Sequence, residues 1–157
     1  MDLHPPTSPE IFGDTPPGRI AAIMQRVKTI AVVGASDNPA RASYGVTLFL
    51  RDRGYDVIPV NPKLAGGMID DLPIVATLAA IDRPVDMVEV FRKPEDLYGI
   101  AEEAIAIGAK VLWGQIGVVN HDAARLAEEA GLKVVMNRCP KIELFRPFWK
   151  PKLHLEI

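Results

Sequence analysis

The stretch Thr29-Ile30-Ala31-Val32-Val33-Gly34-Ala35-Ser36-Asp37-Asn38-Pro39, answered by Tyr55-Asp56-Val57-Ile58-Pro59-Val60-Asn61-Pro62-Lys63, decides the fold. The first run is apolar and β-branched, as a strand buried on both faces requires. It then breaks into small residues before a helix opens. Such a turn gathers free backbone N–H groups and the positive end of a helix dipole at one point, where a phosphate can sit. The full Gly-x-Gly-x-x-Gly pattern is absent, because Ser36 replaces the second glycine and Pro39 the third. The second run is the next strand and ends in Asn-Pro-Lys. A domain that binds NAD carries an acidic residue there for the ribose hydroxyls. None stands there, so the expected nucleotide is not NAD.

Outward from this pair, one punctuation repeats. Gly54, Gly108 and Gly131 each follow a helical pattern and precede an apolar run by one or two residues. Glycine past a helix end supplies the left-handed conformation that stops it. The spacing predicts helices over 19–27, 44–53 with Ser43 as N-cap, 94–107 with Pro94 in its first turn, and 121–130 with Asn120 as N-cap. Strands are predicted over 29–34, 56–60, 85–90, 110–113 and 132–136. Between 64 and 83, Gly66-Gly67 and Asp70-Asp71 mark turns, and Thr77–Ile81 fits a helical turn or two.

Alternating strands and helices imply an α/β, doubly wound parallel sheet with right-handed crossovers, of about five strands in the order 3-2-1-4-5. Ligands then bind at the carboxyl ends of the strands, where the order reverses. That point is expected between the strand ending at Gly34 and the strand ending near Trp113. Residues 1–18 hold five prolines and two glycines and read as an extended N-terminal arm; 19–157 read as a single domain.

Net charge is −2, so no global attraction to nucleic acid or anionic membrane is expected. The start Met1-Asp2-Leu3-His4-Pro5-Pro6 is not a signal-peptide pattern, and no apolar run is long enough to span a bilayer. A single cysteine, Cys139, leaves no internal disulfide, and the scattered His4, His121 and His154 make no zinc cluster. A cytoplasmic protein is the expectation.

The fold places specific loops on the ligand rim. These are Gly34, Ala35, Ser36, Arg41, Ser43 and Tyr44 after the first strand, and Asn61, Pro62 and Lys63 after the second. Phe91, Arg92 and Lys93 follow the third, Gly114, Gln115, Ile116 and Gly117 the fourth, and Asn137, Arg138, Cys139, Pro140 and Lys141 the fifth. Cations gather at four strand tips of a slightly acidic chain, so a polyanionic small molecule is the simplest partner. The competing account is that the cations serve solubility and that Gly34 and Ala35 are small to let a helix pack close.

The run from Val32 to Glu143 resembles the CoA-binding protein family, single-domain relatives of the N-terminal domain of the succinyl-CoA synthetase alpha subunit. The resemblance rests on five ordered segments: Val33-Gly34-Ala35-Ser36 with Ser43-Tyr44-Gly45-Val46; Gly54 to Pro62; Val85 to Arg92; Glu103 to Val111; and Asn137-Arg138-Cys139-Pro140-Lys141-Ile142-Glu143. It implies a three-layer, Rossmann-like fold that binds coenzyme A, or acyl-CoA, through its nucleotide part. By position, Gly34, Ala35 and Ser36 would approach the diphosphate, with Arg41, Ser43 and Tyr44 adding charge and hydrogen bonds. Asn61, Pro62 and Lys63 would sit by the adenosine, with Lys63 on its 3′-phosphate. Phe91 and Arg92 would line the adenine side, and Gln115, Ile116 and Gly117 the pantetheine route.

The synthetase also uses a second domain with a phosphorylated histidine, for which a chain ending at Ile157 has no room. His121, at a predicted helix start, reads as a surface or capping residue. Cys139 lies beside Arg138 and Lys141, which favour a thiolate; against a mixed disulfide with the CoA thiol stands its reading as a small residue in a tight turn. No catalytic acid–base pair is evident, so the expectation is a non-catalytic binding or regulatory module. Two alternatives stay open: an enzyme using NADP or acyl-CoA, and an interaction subunit with a vestigial pocket. The aromatic tail Phe145 to Pro151 would be a poor thing to expose, which makes a homodimer a further expectation.

Overall fold

The computed structural model describes residues 17–145. In chain order the elements are α1 (Pro17–Arg26), β1 (Thr29–Val33), α2 (Ala42–Asp52), β2 (Asp56–Val60), a hairpin of β3 (Met68–Ile69) and β4 (Leu72–Pro73), and a 3-10 turn at Leu78–Ala80. Then come β5 (Met87–Val90), a 3-10 turn at Pro94–Asp96 leading into α3 (Leu97–Ala106), β6 (Val111–Gly114), α4 (His121–Glu129), β7 (Lys133–Val135) and α5 (Pro140–Leu144). Helix ends follow the expected punctuation: Gly54, Gly108 and Gly131 all have positive φ. Asn120 caps α4, its side chain accepting the Ala123 N–H at 3.0 Å.

The five-stranded sheet is parallel, in the order β2-β1-β5-β6-β7. Numbered along the chain, that is 2-1-3-4-5 and not the expected 3-2-1-4-5. The place beyond β2 is held by one residue. Val75 forms a parallel bridge with Val60, donating its N–H to Pro59 O at 3.0 Å while its own carbonyl accepts the Asn61 N–H at 2.9 Å. The third position of the doubly wound order is thus occupied by a strand too short to show as a periodic run. The chain then crosses to the other side of β1, where β5 pairs with it. With Val75 counted, the order is 3-2-1-4-5-6. The reversal therefore lies between β1 and β5, and the loop opened by Gly34 faces Phe91, not Trp113.

Two apolar clusters sandwich the sheet. Ala31, Ile58, Val88, Val90, Leu112 and Val134 meet the buried faces of α3 and α4. Ile30, Val32, Met87, Val111, Trp113 and Val135 meet α1, α2 and Leu144 of α5. Alternate residues of each strand feed opposite layers, as the two-residue repeat of a strand dictates. Burying each large side chain here, Trp113 or Leu50 for example, contributes about 2–3 kcal/mol. Trp113 also donates its indole N–H to Arg138 O at 2.8 Å, which seats the chain after β7.

Outside the described residues lie all but the last two positions of the expected arm and the tail beyond Phe145. Pro17 and Gly18 belong to the first turn of α1. Phe145 packs against Phe49 of α2, ring centroids 5.1 Å apart.

Candidate functional site at the carboxyl edge of the sheet

β1 ends at Val33, and Gly34 turns the chain at φ +85°, a conformation that disfavours any side chain. A Cβ at this position would stand 2.7 Å from Phe91 O. Glycine is therefore needed twice, for the turn and for the close approach of the two loops at the reversal point. The loop then runs to α2, whose N-cap is Arg41 and not Ser43. Ser43 lies inside the helix, where its Oγ accepts the Ser36 N–H at 3.1 Å. A hydroxyl within one turn of the helix start can bond back to the entering loop, and here it does so in place of capping.

Most backbone donors of this loop have internal partners. Gly34 and Ala35 donate to Val60 O at 3.0 and 3.4 Å. Asn38 donates to Ser36 Oγ at 3.0 Å, and Ala40 to Asn38 Oδ1 at 2.9 Å. The free N–H groups expected of residues 34–36 are thus bonded within the protein. Among the described residues, the N–H groups here that lack an acceptor are those of Asp37 in the loop and of Ala42 and Ser43 at the start of α2, while Tyr44 donates to Arg41 O at 3.1 Å.

Two clefts flank the end of β1. One, of about 340 Å³, is lined by Gly34, Ala35, Ser36, Arg41, Ala42, Ser43, Asn61 and Phe91. Its lining holds one cation and no carboxylate, and α2 opens onto it. The other, of about 300 Å³, is lined by Val33, Gly34, Val60, Pro62, Leu78, Arg92, Asp96, Ile100 and neighbours. Its apolar floor suits a flat ring, and Arg92 is held there by Asp96 at 3.2 Å.

Asn61 braces the two loops. Its Nδ2 donates to Ala35 O at 2.8 Å, and its Oδ1 accepts the Lys63 N–H at 2.9 Å. The side chain at the expected ribose position is therefore a tie between the end of β2 and the loop after β1.

The structure brings together seven of the sequence-predicted residues (Gly34, Ala35, Ser36, Arg41, Ser43, Asn61, Phe91) in one cleft, and Pro62 and Arg92 in the next. The others lie apart from both linings. Lys63 is exposed at the rim. Tyr44 is half-buried and packs on the core under α2. Gln115 is buried at the end of β6, Ile116 is exposed, and Gly117 donates its N–H to Asn137 Oδ1 at 2.8 Å. The cations after β7 turn elsewhere: Arg138 pairs with buried Glu143 at 3.3 Å, and Lys141 lies 5.6 Å from the centre of the Phe49 ring. Cys139 is buried and precedes α5.

One residue escaped the sequence reading. Glu89 stands mid-sheet in β5, opposite Val32 and Trp113, fully buried and with neither carboxylate oxygen hydrogen-bonded. Burial, and after it the proximity of Cys139, pushes its pKa well above the ordinary carboxyl value. Its sequence signal was an acid inside the apolar run Met87-Val88-Glu89-Val90. It lies two residues before Phe91, on the same face of the strand, beneath the wall of the first cleft.

The family described as CoA binding domain matches residues 28–144. The uncharacterized protein YneT of Bacillus subtilis (strain 168) is 44% identical over 123 residues, which cover 78% of this chain and 90% of that one. A hypothetical protein from Pyrococcus horikoshii OT3 is 36% identical, with a TM-score of 0.79 over 91% of this chain and 96% of that one. The dinucleotide-forming acetyl-coenzyme A synthetase 1 of Ca. Korarchaeum cryptofilum shares the fold at 22% identity, with a TM-score of 0.57 over 70% of this chain and 26% of that one.

Proposed function

The chain belongs to the family of CoA binding domains, and from that premise we propose that it binds coenzyme A through its nucleotide part at the carboxyl edge of the sheet, as a non-catalytic binding or regulatory module. The observation that carries this reading is the carboxylate-free cleft onto which α2 and Arg41 open, at the reversal of strand order. The diphosphate lies there, against the first turn of α2, with Arg41 as its cation. The adenosine turns into the neighbouring apolar slot over Val33, Val60 and Leu78. Lys63, at the rim beyond Asn61, takes the 3′-phosphate. Among the described residues lining the first cleft, Arg41 is the titratable one, which suits retention of a ligand better than acid–base turnover.

Calorimetry and thermal melting with CoA, 3′-dephospho-CoA, NAD and NADP test this reading. CoA should stabilise the fold selectively. Lys63→Ala should narrow the gap between CoA and its 3′-dephospho form, and Arg41→Ala should weaken both alike. Selective stabilisation by NADP, or no response to any of the four, overturns the proposal.

A further inference from the structure

A second cavity, of about 510 Å³, opens at the opposite, amino edge of the sheet. Its floor is apolar, made by Ala22 and Ile23 of α1 and Val27 just after it, with Val111 at the start of β6. Around that floor stand Arg26 at the end of α1, Lys110 before β6 and Lys133 at the start of β7, with Arg19 also in the lining. Three separate elements thus bring cations to one apolar groove.

The lining holds a single carboxylate, Asp86, and it is already engaged. Its Oδ2 accepts the N–H groups of Lys28 and Thr29 at 2.8 and 3.0 Å, and Lys110 Nζ stands 3.9 Å from Oδ1. Among the described residues, no carboxylate holds Arg26 or Lys133 by an ion pair. The groove therefore combines an apolar floor with two cations, Arg26 and Lys133, that no carboxylate of the described residues pairs, in the size range that takes small organic ligands.

We propose that this groove is a second ligand site, for an amphipathic anion whose apolar chain lies between α1 and β6 and whose carboxylate meets Arg26 and Lys133. The chemistry follows from the lining. A purely apolar molecule would leave Arg26 and Lys133 in solvent, and a small inorganic anion would leave most of the cavity of about 510 Å³ unfilled. The site lies at the other end of the strands from the proposed coenzyme cleft and is independent of it.

The test is calorimetric titration of the full chain with sodium decanoate, with decanol and inorganic phosphate as controls. Decanoate should bind saturably, and decanol and phosphate at least about tenfold more weakly, since loss of one charge-assisted contact is worth about that much. Arg26→Gln combined with Lys133→Gln should weaken decanoate by a similar factor and leave the response to CoA unchanged. Ala22→Phe, which fills the groove and keeps every charge, should abolish decanoate binding. The proposal falls if decanoate fails to saturate, if decanol or phosphate binds as well, or if decanoate binds Ala22→Phe or the double variant as it binds the parent chain.

Discussion

Gly34 concentrates two demands in one residue. Its backbone is left-handed, and the space a methyl group would fill is occupied by Phe91 O. Gly34→Ala should destabilise the fold by about 2 kcal/mol or more, because an L side chain in this region costs about 1–2 kcal/mol before any clash. A fall in the urea midpoint at constant m-value would show it, and an unchanged midpoint would refute it. Glu89 makes the opposite kind of demand, since it costs stability where it stands. With its folded pKa raised above 4.5, the native state keeps a proton that the unfolded chain releases. Its contribution is fully present below that value and is lost as pH climbs through the folded pKa. Glu89→Gln removes the titration while keeping the shape. The melting temperature of the variant relative to the parent should therefore rise between pH 4 and pH 8, and parallel profiles would refute the assignment.

Among the elements, the site depends on how two loops are held together more than on any one of them. The loop before α2 has most of its donors bonded, among others by Ser43 Oγ of α2 and Asn38 Oδ1 of the loop itself. Asn61 then ties it to the end of β2. Asn61→Ala removes that tie and the acceptor of the Lys63 N–H, and should cost about 1–2 kcal/mol in chemical denaturation. The same change should weaken CoA binding at a temperature where the variant is fully folded. Retained affinity would mean that the cleft is shaped by α2 and the sheet alone. The hairpin β3–β4 is pinned in a different way. Arg51 of α2 reaches Asp70 and Asp71 at 2.6 Å each, an ion cluster at the surface whose worth is small.

For the molecule as a whole, 18 basic residues against 20 acidic ones mean that attraction of an anion to the carboxyl edge is local. Local attraction is screened over about 10 Å at 0.1 M salt. CoA affinity should thus fall several-fold from about 0.05 M to about 0.5 M NaCl, and a salt-independent affinity would mean that apolar contacts dominate. The sheet, its parallel sense and the glycine-closed ends of the helices were legible in the sequence, because they follow from local signals, whereas the start of α2 at Arg41 in place of Ser43 was not. Apolar runs such as Thr29–Val33 mark buried strands, glycines close helices, and Asn120 announces α4. The loops of the candidate site were legible for the same reason, since the strand ends name them. Strand order was not, because a one-residue bridge at Val75 leaves no periodic trace and yet decides on which side of β1 the next strand falls. Nor was the dispersal of the rim cations, the bonding of the loop N–H groups, or the buried state of Glu89. Those depend on which atoms meet across the fold: a residue's type tells what it can bond, and only the packed neighbours decide what it does bond.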